Sequence, residues 1–396
     1  MKLFVAKLLL GITLITFTFS CTKEEDPSPT PAATCEDGIM NGDETGIDCG
    51  GSCQECTVDN ILIGDIVGDI VLDSSISYEL AGGYVVQSGA SLTIPAGTTI
   101  RATGGTSAYI AVARGGKIYI NGTATSPVVM TSGASNPAPG DWGGLVVCGD
   151  APTNKGSNVT SEVADLTYGG NNVNDDSGII KYLRVEYTGA TFSNDKEFNG
   201  VSLFGVGAGT TFEYVQSYQG GDDGIEFFGG TVSGDYLVSI GSGDDSIDFA
   251  DGWQGNGSFW YIKDGAKAGI EGSNNGDDGN ASPVTTVTLS NITVVGPVTE
   301  GALYFKEGGG SFTITNFYTD AIDLGVKVKD TDAEAAVRIE NGDLSINPMQ
   351  FDNPAVGFEI TDYIGANQSF VVEGPTSGAG NGAATPNWAF GWASGL

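Results

Sequence analysis

Two stretches in the middle of the chain carry the same pattern 22 residues apart. They are Gly-Asp-Asp-Gly-Ile-Glu-Phe at residues 221–227 and Gly-Asp-Asp-Ser-Ile-Asp-Phe at residues 243–249. The spacing continues with Gly-Val-Ser-Leu-Phe at residues 200–204, Gly-Ile-Glu-Gly at residues 269–272 and a looser match at residues 301–305. A repeat of this length is typical of one coil of a solenoid. The chain is therefore expected to stack coils along an axis.

The rest of the chain from residue 57 has the composition of short strands. Runs of β-branched and aromatic residues alternate with Gly, Asn and Asp, and residues 85–100 and 110–131 share one order of strand, Gly turn, strand, Gly-Thr turn and strand. Each such coil can bury its apolar residues only against the coils beside it. The sequence thus predicts an all-β domain, a right-handed parallel β-helix of about a dozen coils.

The two ends of such a helix need covers. We expect residues 59–70 to cover the N-terminal end. Residues 388–392, Trp-Ala-Phe-Gly-Trp, alternate aromatic and small side chains, which predicts a half-buried strand over the C-terminal end. A platform on which sugar rings stack is the alternative role for these aromatic residues.

The N-terminus has the layout of a secretory signal peptide at residues 1–20, with two lysines, an apolar core and small residues before Cys21. Cys21 resembles the lipidated cysteine of a bacterial lipobox, and the acidic segment after it resembles the export tag of Bacteroidota lipoproteins. Residues 21–34 then form a Pro-rich tether. The resemblance implies a lipid-anchored protein of the outer membrane that faces the cell exterior; a signal peptide without lipidation is the alternative.

A cysteine-rich module at residues 35–56 follows the tether and precedes the solenoid at residues 57–396. Its four cysteines are Cys35, Cys49, Cys53 and Cys56. In a secreted chain they predict two disulfides, whose pairing the sequence leaves open, with a four-cysteine zinc site as the alternative. The module resembles a cysteine-rich element of flavobacterial extracellular proteins, which implies a surface protein and no particular activity. Cys148 is expected in the core, without a role.

Charge and composition exclude several function classes. The chain has 16 basic and 49 acidic residues, a net charge of −33, which makes nucleic acid an implausible partner. It has no histidine, so mechanisms that need an imidazole base or an imidazole metal ligand are excluded. A protein with this net negative charge attracts cations.

Stacking the two repeats would stack their carboxylates. Asp222 would lie over Asp244, Asp223 over Asp245 and Glu226 over Asp248, and Glu271 would continue the last column. Carboxylates at the strand spacing of about 4.8 Å repel one another by roughly 3.5 kcal/mol at an effective dielectric constant of 20. Calcium, which takes oxygen ligands in flexible geometry, is the predicted counter-ion. Two alternatives stay open: closure of turns by Asp side chains, and catalysis by paired carboxylates.

Several motifs resemble a family of β-helical surface proteins in Bacteroidota. They are Gly-Asp-Trp-Gly-Gly-Leu-Val-Val at residues 140–147, the run at residues 177–189 and the block at residues 199–230. The resemblance extends over residues 76–396. It implies a β-helix and assigns no catalytic residue.

An enzyme on this scaffold is the rival hypothesis. The Gly-Asp-Asp pattern resembles polygalacturonase-type hydrolases, but the chain lacks their Gly-His-Gly and Arg-x-Lys elements. A calcium-assisted polysaccharide lyase would need a basic side chain to abstract a proton. Lys263, Lys267 and Lys306 are the candidates, and the alternative for each is a solvated surface lysine.

The sequence therefore favours a non-enzymatic, lipid-anchored cell-surface protein that binds a glycan or an envelope protein and is stabilised by calcium. A polysaccharide-degrading enzyme is the alternative, and a structural subunit of an outer-membrane assembly is the second alternative.

Overall fold

The computed structural model describes residues 34–37, 39, 41–44, 51–54, 60–193, 196–329, 333–353, 359–361 and 369–396. The chain divides into two compact units, Met1–Asp59 and Asn60–Leu396. The predicted signal peptide, Cys21 and the tether up to residue 33 lie outside the described residues. No helix in the described part of the chain has the length and apolar character needed to span a bilayer.

The N-terminal unit contains a disulfide between Cys35 and Cys53, with an S–S distance of 2.00 Å. This is one of the pairings that the sequence left open. The zinc alternative is wrong for these two cysteines, because each sulfur is bonded to the other. Cys49 and Cys56 lie outside the described residues.

The second unit is built from strands. The first half of the chain supplies β1 (Ile61–Ile66), β2 (Asp69–Val71), β3 (Ser77–Val86), β4 (Ser91–Pro95), β5 (Thr99–Ala102), β6 (Tyr109–Val112), β7 (Lys117–Asn121), β8 (Val128–Ser132), β9 (Leu145–Cys148), β10 (Val159–Thr160), β11 (Thr167–Tyr168), β12 (Gly178–Glu186), β13 (Thr191–Ser193) and β14 (Lys196–Glu197). The second half supplies β15 (Val201–Phe204), β16 (Thr211–Tyr218), β17 (Ile225–Phe228), β18 (Gly234–Ile240), β19 (Ile247–Ala250), β20 (Asn256–Lys263), β21 (Ile270–Ser273), β22 (Thr286–Val295), β23 (Leu303–Lys306), β24 (Ser311–Asp320), β25 (Leu324–Val328), β26 (Leu344–Asp352), β27 (Glu359–Thr361) and β28 (Val371–Glu373). One α-helix, α1 (Ala333–Asn341), and short 3-10 turns at Gly105–Ser107 and Asn387–Ala389 complete the described elements.

Parallel pairing in register stacks these strands into columns, so the domain is a parallel β-helix, as predicted. The first column runs through β1, β3, β6, β9, β15, β17, β19, β21, β23, β25 and β27. The second runs through β2, β4, β7, β12, β16, β18, β20, β22, β24, β26 and β28. Eleven described strands per column correspond to eleven coils, close to the expected dozen.

A corner divides the second column into two faces. The first part of β12 pairs with β7, and its last part pairs with β8. Between them Tyr182 has a positive φ of 50°, and the equivalent residues of the next two coils, Tyr214 and Tyr236, have φ values of 56° and 58°. The left-handed conformation turns the strand, so each coil has three faces.

Apolar side chains fill the inside of the helix. Ile225, Phe227, Ile247 and Phe249 are fully buried there and stack on one another from coil to coil. At Gly272, the position beside Phe249 on the following coil, a Cβ atom would lie 2.9 Å from that ring, so this position has room only for glycine.

Two insertions cover the outside of the first column. Residues 149–177, which contain the β10–β11 hairpin, and residues 187–200, which contain the β13–β14 hairpin, interrupt the coils. They form a second apolar cluster in which Tyr168 and Phe198 pack with Phe204 and Phe228. Cys148 is buried in this outer cluster, and burial raises the pKa of its thiol to about 12.

The expected covers differ from the structure. Residues 61–66 and 69–71 are themselves strands of the first coil, in register with β3 and β4, rather than a separate cap. Residues 388–392 do not form a strand at the end of the helix. Trp388 packs edge-on against Tyr236, and Trp392 packs against Tyr182 and Tyr214, all on middle coils. The chain folds back because the corner rings offer it an apolar surface.

Candidate functional site

The repeated motif places three carboxylates in one column on the outer side of β17, β19 and β21. Glu226 lies beside Asp248, and Asp248 lies beside Glu271, in strand register. We call these three residues the acidic stack. They are buried, with exposed fractions of 9%, 8% and 6%. Ser202 continues the column below Glu226.

The two Asp-Asp pairs lie at the turns that lead into β17 and β19. The backbone N–H of Asp245 donates to Oδ1 of Asp223 (2.8 Å), and the N–H of Ala268 donates to Oδ1 of Asp245 (2.5 Å). Each of these carboxylates therefore ties its own coil to the next one. The turn-closing role that was the alternative to calcium is present, although it acts between coils rather than within one turn.

These buried carboxyl groups resist ionisation. Burial, reinforced by neighbouring carboxylates, raises the pKa of Asp223, Glu226 and Asp248 well above the ordinary range. Burial and the charge of Glu271 raise the pKa of Asp245 to about 9, and burial with Asp244 raises that of Asp222 to about 7. Without a positive partner, Asp223, Glu226, Asp245 and Asp248 favour the protonated form at neutral pH, whereas Asp222 is near its midpoint.

The carboxylate oxygens approach closely enough to share a cation. One oxygen each of Asp223, Glu226 and Asp248 lie within 4.8 Å of one another, and all three residues are buried. Two more groups made only of carboxylates have the same span in the described part of the chain: Asp222, Asp223 and Asp244, and Asp245, Glu271 and Glu300. Every one of the seven predicted metal ligands thus belongs to a compact group.

Two of the three candidate lysines reach these carboxylates. Nζ of Lys306 lies 2.6 Å from Oε1 of Glu271, and Nζ of Lys267 lies 2.6 Å from Oδ1 of Asp244. Although burial opposes it, the charge of Glu271 raises the pKa of Lys306; the hydrogen bond to Asp244 raises that of Lys267. Both are therefore held as ammonium ions, the form that cannot abstract a proton.

The third candidate, Lys263, is not at this site. Strand register places it beside Ile240 and Val295, at the end of β20 on another face of the coil. Its proximity to the repeat in sequence does not translate into proximity in space, because the corner at Phe259 and the turn after β20 separate the faces.

A cleft of about 610 Å³ lies on the same side of the helix, against the first insertion. Tyr168, Phe204 and Phe228 form its apolar part. Its polar lining comes from chain segments far apart in sequence: Lys155, Thr160, Glu162, Lys196, Asp251, Asp277 and Glu307. No sequence motif indicates this cleft. Asp251 directly follows β19, but no local pattern indicates which inserted residues face it.

Electrostatics in the cleft centre on Lys155. Its Nζ lies 2.8 Å from Oδ2 of Asp277 and 3.9 Å from Oδ1 of Asp251. Burial raises the pKa of Asp251 to about 6, although Lys155 opposes the shift. Lys155 itself has a raised pKa, because its acidic partners outweigh the effect of burial. The cleft thus holds a protonated lysine among several carboxyl groups.

Residues 64–393 match the family described as pectate-lyase like beta helix domain. The match covers most of the chain, so the protein belongs to this family of β-helix proteins. No curated protein and no solved structure matches the chain.

Proposed function

We propose that this protein is a cell-surface β-helix that binds a glycan without transforming it, in the cleft between the first insertion and the ends of β17 and β19. The observation that carries the proposal is the cleft itself. Its volume of about 610 Å³ lies in the range of small-molecule sites, and its lining combines apolar rings with hydrogen-bonding groups.

The chemistry of the lining suits sugar hydroxyls. Carboxylates accept hydrogen bonds from hydroxyl groups, and lysine and threonine side chains donate to them. Because four acidic side chains face two lysines in the cleft, a neutral glycan fits better than a polyanion. The family name refers to pectate, a polyuronate, so the charge of this cleft argues for a different ligand within the glycan class.

Binding is favoured over elimination chemistry because the lysine at the centre of the cleft is held in its charged form. Lys155 is engaged with Asp277 and Asp251, and its raised pKa keeps it protonated. The lysines beside the repeated motif are paired in the same way.

A polysaccharide-degrading enzyme is the second candidate, and Asp251 is the observation that favours it. A buried carboxyl group with a pKa of about 6 in a cleft can act as a general acid. This candidate requires shortened products in an incubation with polysaccharide and their loss in Asp251→Asn.

The test is affinity electrophoresis of the full mature chain through gels that contain neutral or uronate polysaccharides, with chromatography of the polymers afterwards. We expect retardation by a neutral polymer and unchanged polymer length. Asp277→Asn should weaken retardation, whereas Asp264→Asn, an exposed aspartate on another face, should not. Absence of retardation by every polymer, together with co-purification of an envelope protein, would overturn glycan binding in favour of an assembly subunit.

The proposal includes the cellular location of the protein. The order of charged, apolar and small residues before Cys21 supports a lipid anchor at that residue, and the acidic segment after it supports exposure on the outer membrane. Incorporation of labelled fatty acid should be lost in Cys21→Ser. Protease treatment of intact cells should remove the protein; full protection would contradict surface exposure.

A further inference from the structure

We propose that a single calcium ion binds between Asp223, Glu226 and Asp248, and that Lys267 and Lys306 neutralise the neighbouring carboxylates in place of further ions. This site is independent of the glycan cleft. Of the seven carboxylates that the sequence suggests as calcium ligands, only these three would bind the ion.

The first support is an unsatisfied oxygen. Oδ1 of Asp248 is buried and has no hydrogen-bond partner among the described residues. The side chain is only 8% exposed, so bulk water does not supply the missing partner. An ionised oxygen left in that state costs several kcal/mol. Asp248 is also the middle member of the acidic stack, between Glu226 and Glu271.

The second support is the span of the three oxygens. Ca²⁺ binds oxygen at about 2.4 Å, so two ligands on opposite sides of the ion are about 4.8 Å apart. The oxygens of Asp223, Glu226 and Asp248 all lie within 4.8 Å of one another. An ion among them would lie within about 2.8 Å of each oxygen, close to the distance of a calcium–oxygen contact, and carbonyl or water oxygens can complete its shell.

Second contacts hold two of the ligands in place. Nδ2 of Asn199 donates to Oε2 of Glu226 (2.5 Å), and Oδ1 of Asp223 accepts from the N–H of Asp245 (2.8 Å). Each of these contacts fixes one oxygen of its carboxylate. Outer contacts of this kind orient metal ligands.

The lysines explain why the other acidic groups need no ion. Asp244 is paired with Lys267, and Glu271 with Lys306, each at 2.6 Å. Glu300, which shares a compact group with Glu271, is paired with Lys327 at 2.9 Å. The group of Asp223, Glu226 and Asp248 contains no member in a direct ion pair with a lysine among the described residues, so an ion has its place there.

The chemical type of the three ligands indicates which metal ion binds. The chain has no histidine, and the three ligands are carboxylates, which suit a hard cation. Calcium is favoured over magnesium because magnesium demands near-ideal octahedral geometry and loses its water reluctantly.

The experiment is a calcium titration of the full mature chain after treatment with chelator, by calorimetry, with Asp248→Asn and Asp244→Asn as a matched pair. We expect one ion per chain in the wild type. Asp248→Asn should weaken binding by more than about 100-fold, beyond the range typical of an outer contact. Asp244→Asn should leave binding unchanged. The opposite pattern would place the ion in the outer group and overturn the assignment, as would equal losses in both variants.

Thermal unfolding gives a second readout that does not depend on glycan. With calcium, Asp248→Asn should melt below the wild type. In chelator the order should reverse, because the substitution removes a buried carboxyl group from the stack. If calcium binds to no variant and leaves the melting temperature of the wild type unchanged, the carboxyls hold protons instead and the proposal is wrong. Should Asp248→Asn fail to fold, Glu226→Gln serves the same comparison.

Discussion

The acidic stack and the corner of aromatic residues are built by the same geometry and have opposite energetic consequences. Tyr182, Tyr214, Tyr236 and Phe259 follow one another at the corner with ring separations of 4.3, 4.3 and 4.8 Å. We call these four residues the aromatic ladder. Stacked rings attract one another, whereas stacked carboxylates repel. Strand register makes like side chains neighbours, and the chemistry of the side chain decides whether this stabilises the coil.

The acidic stack and the aromatic ladder also differ in the contacts that the rest of the chain makes with them. Trp392, from the end of the chain, packs on the aromatic ladder and is fully buried there. Its position is held by Gln216, whose side chain exchanges hydrogen bonds with the backbone of Ser394 at 2.7 and 2.8 Å. The acidic stack has lysine contacts at its margins only. The chain itself thus supplies the contacts that cover the aromatic ladder, whereas the described residues leave the middle of the acidic stack without a positively charged partner.

The largest effect is expected from uncovering the aromatic ladder. Trp392→Ala should lower the free energy of unfolding by about 3–5 kcal/mol, because it removes a fully buried indole. Phe390→Ala, two residues away with an exposed fraction of 57%, should change it by less than about 0.5 kcal/mol. Chemical denaturation followed by tryptophan fluorescence measures both; equal effects would mean that the ladder does not need its cover.

The next largest effect is a pH dependence that arises from the raised pKa values of the acidic stack and its neighbours. In the folded state the pKa of Asp245 is raised to about 9 and that of Asp222 to about 7. Between the pKa of an unfolded aspartate, near 4, and these values, the native state binds more protons than the unfolded state. Stability in chelator should therefore fall as pH rises from 5 to 9, by several kcal/mol.

Calcium should flatten this trend, because a bound cation favours the ionised carboxylates. Melting curves at several pH values, with calcium and with chelator, make the comparison. A stability in chelator that rises with pH over this range would show that the carboxyl groups are already compensated within the chain.

Replacing the lysines tests how the margins of the acidic stack are neutralised. Lys306→Met leaves Glu271 buried and unpaired, and should cost about 2–3 kcal/mol. Lys267→Met removes a pair whose lysine side chain is 52% exposed, so it should cost less than about 1 kcal/mol. Denaturation in chelator gives both values. A larger loss for Lys267→Met would reverse the order of importance.

A smaller effect than those of Trp392→Ala and Lys306→Met should come from one ring of the ladder. Tyr214→Leu keeps an apolar side chain but loses two stacked partners, and should cost about 1–2 kcal/mol. Tyr119→Leu is the control, since Tyr119 is half-buried on β7 and has no ring contact with a described residue. Similar losses at the two positions would mean that stacking adds little beyond burial.

The regular part of the fold was predictable because it repeats. One coil length, read from residues 221–227 and 243–249, implies parallel register, and register implies which residues stack. The pairing of Glu226 with Asp248 follows from that arithmetic alone. The sequence predicted that the N-terminal unit contains disulfides, but it did not predict which cysteines pair.

The irregular part was not predictable, because insertions and tails have no period. Lys263 and Lys306 seemed equivalent candidates, yet only Lys306 lies beside the acidic stack. In the cleft, Lys155 contacts Asp277, although the two residues are 122 positions apart in the sequence. Residues 388–392 were expected at the end of the helix and lie on its side.

What the sequence alone determined is the stack of coils and the list of side chains that each column brings together, because backbone hydrogen bonding between equal coils leaves one register. What only the tertiary structure decided is which stacked charges are compensated, which surface the insertions enclose and where the chain end lies. Those outcomes depend on contacts between segments far apart in the chain, whose free energies no local pattern encodes.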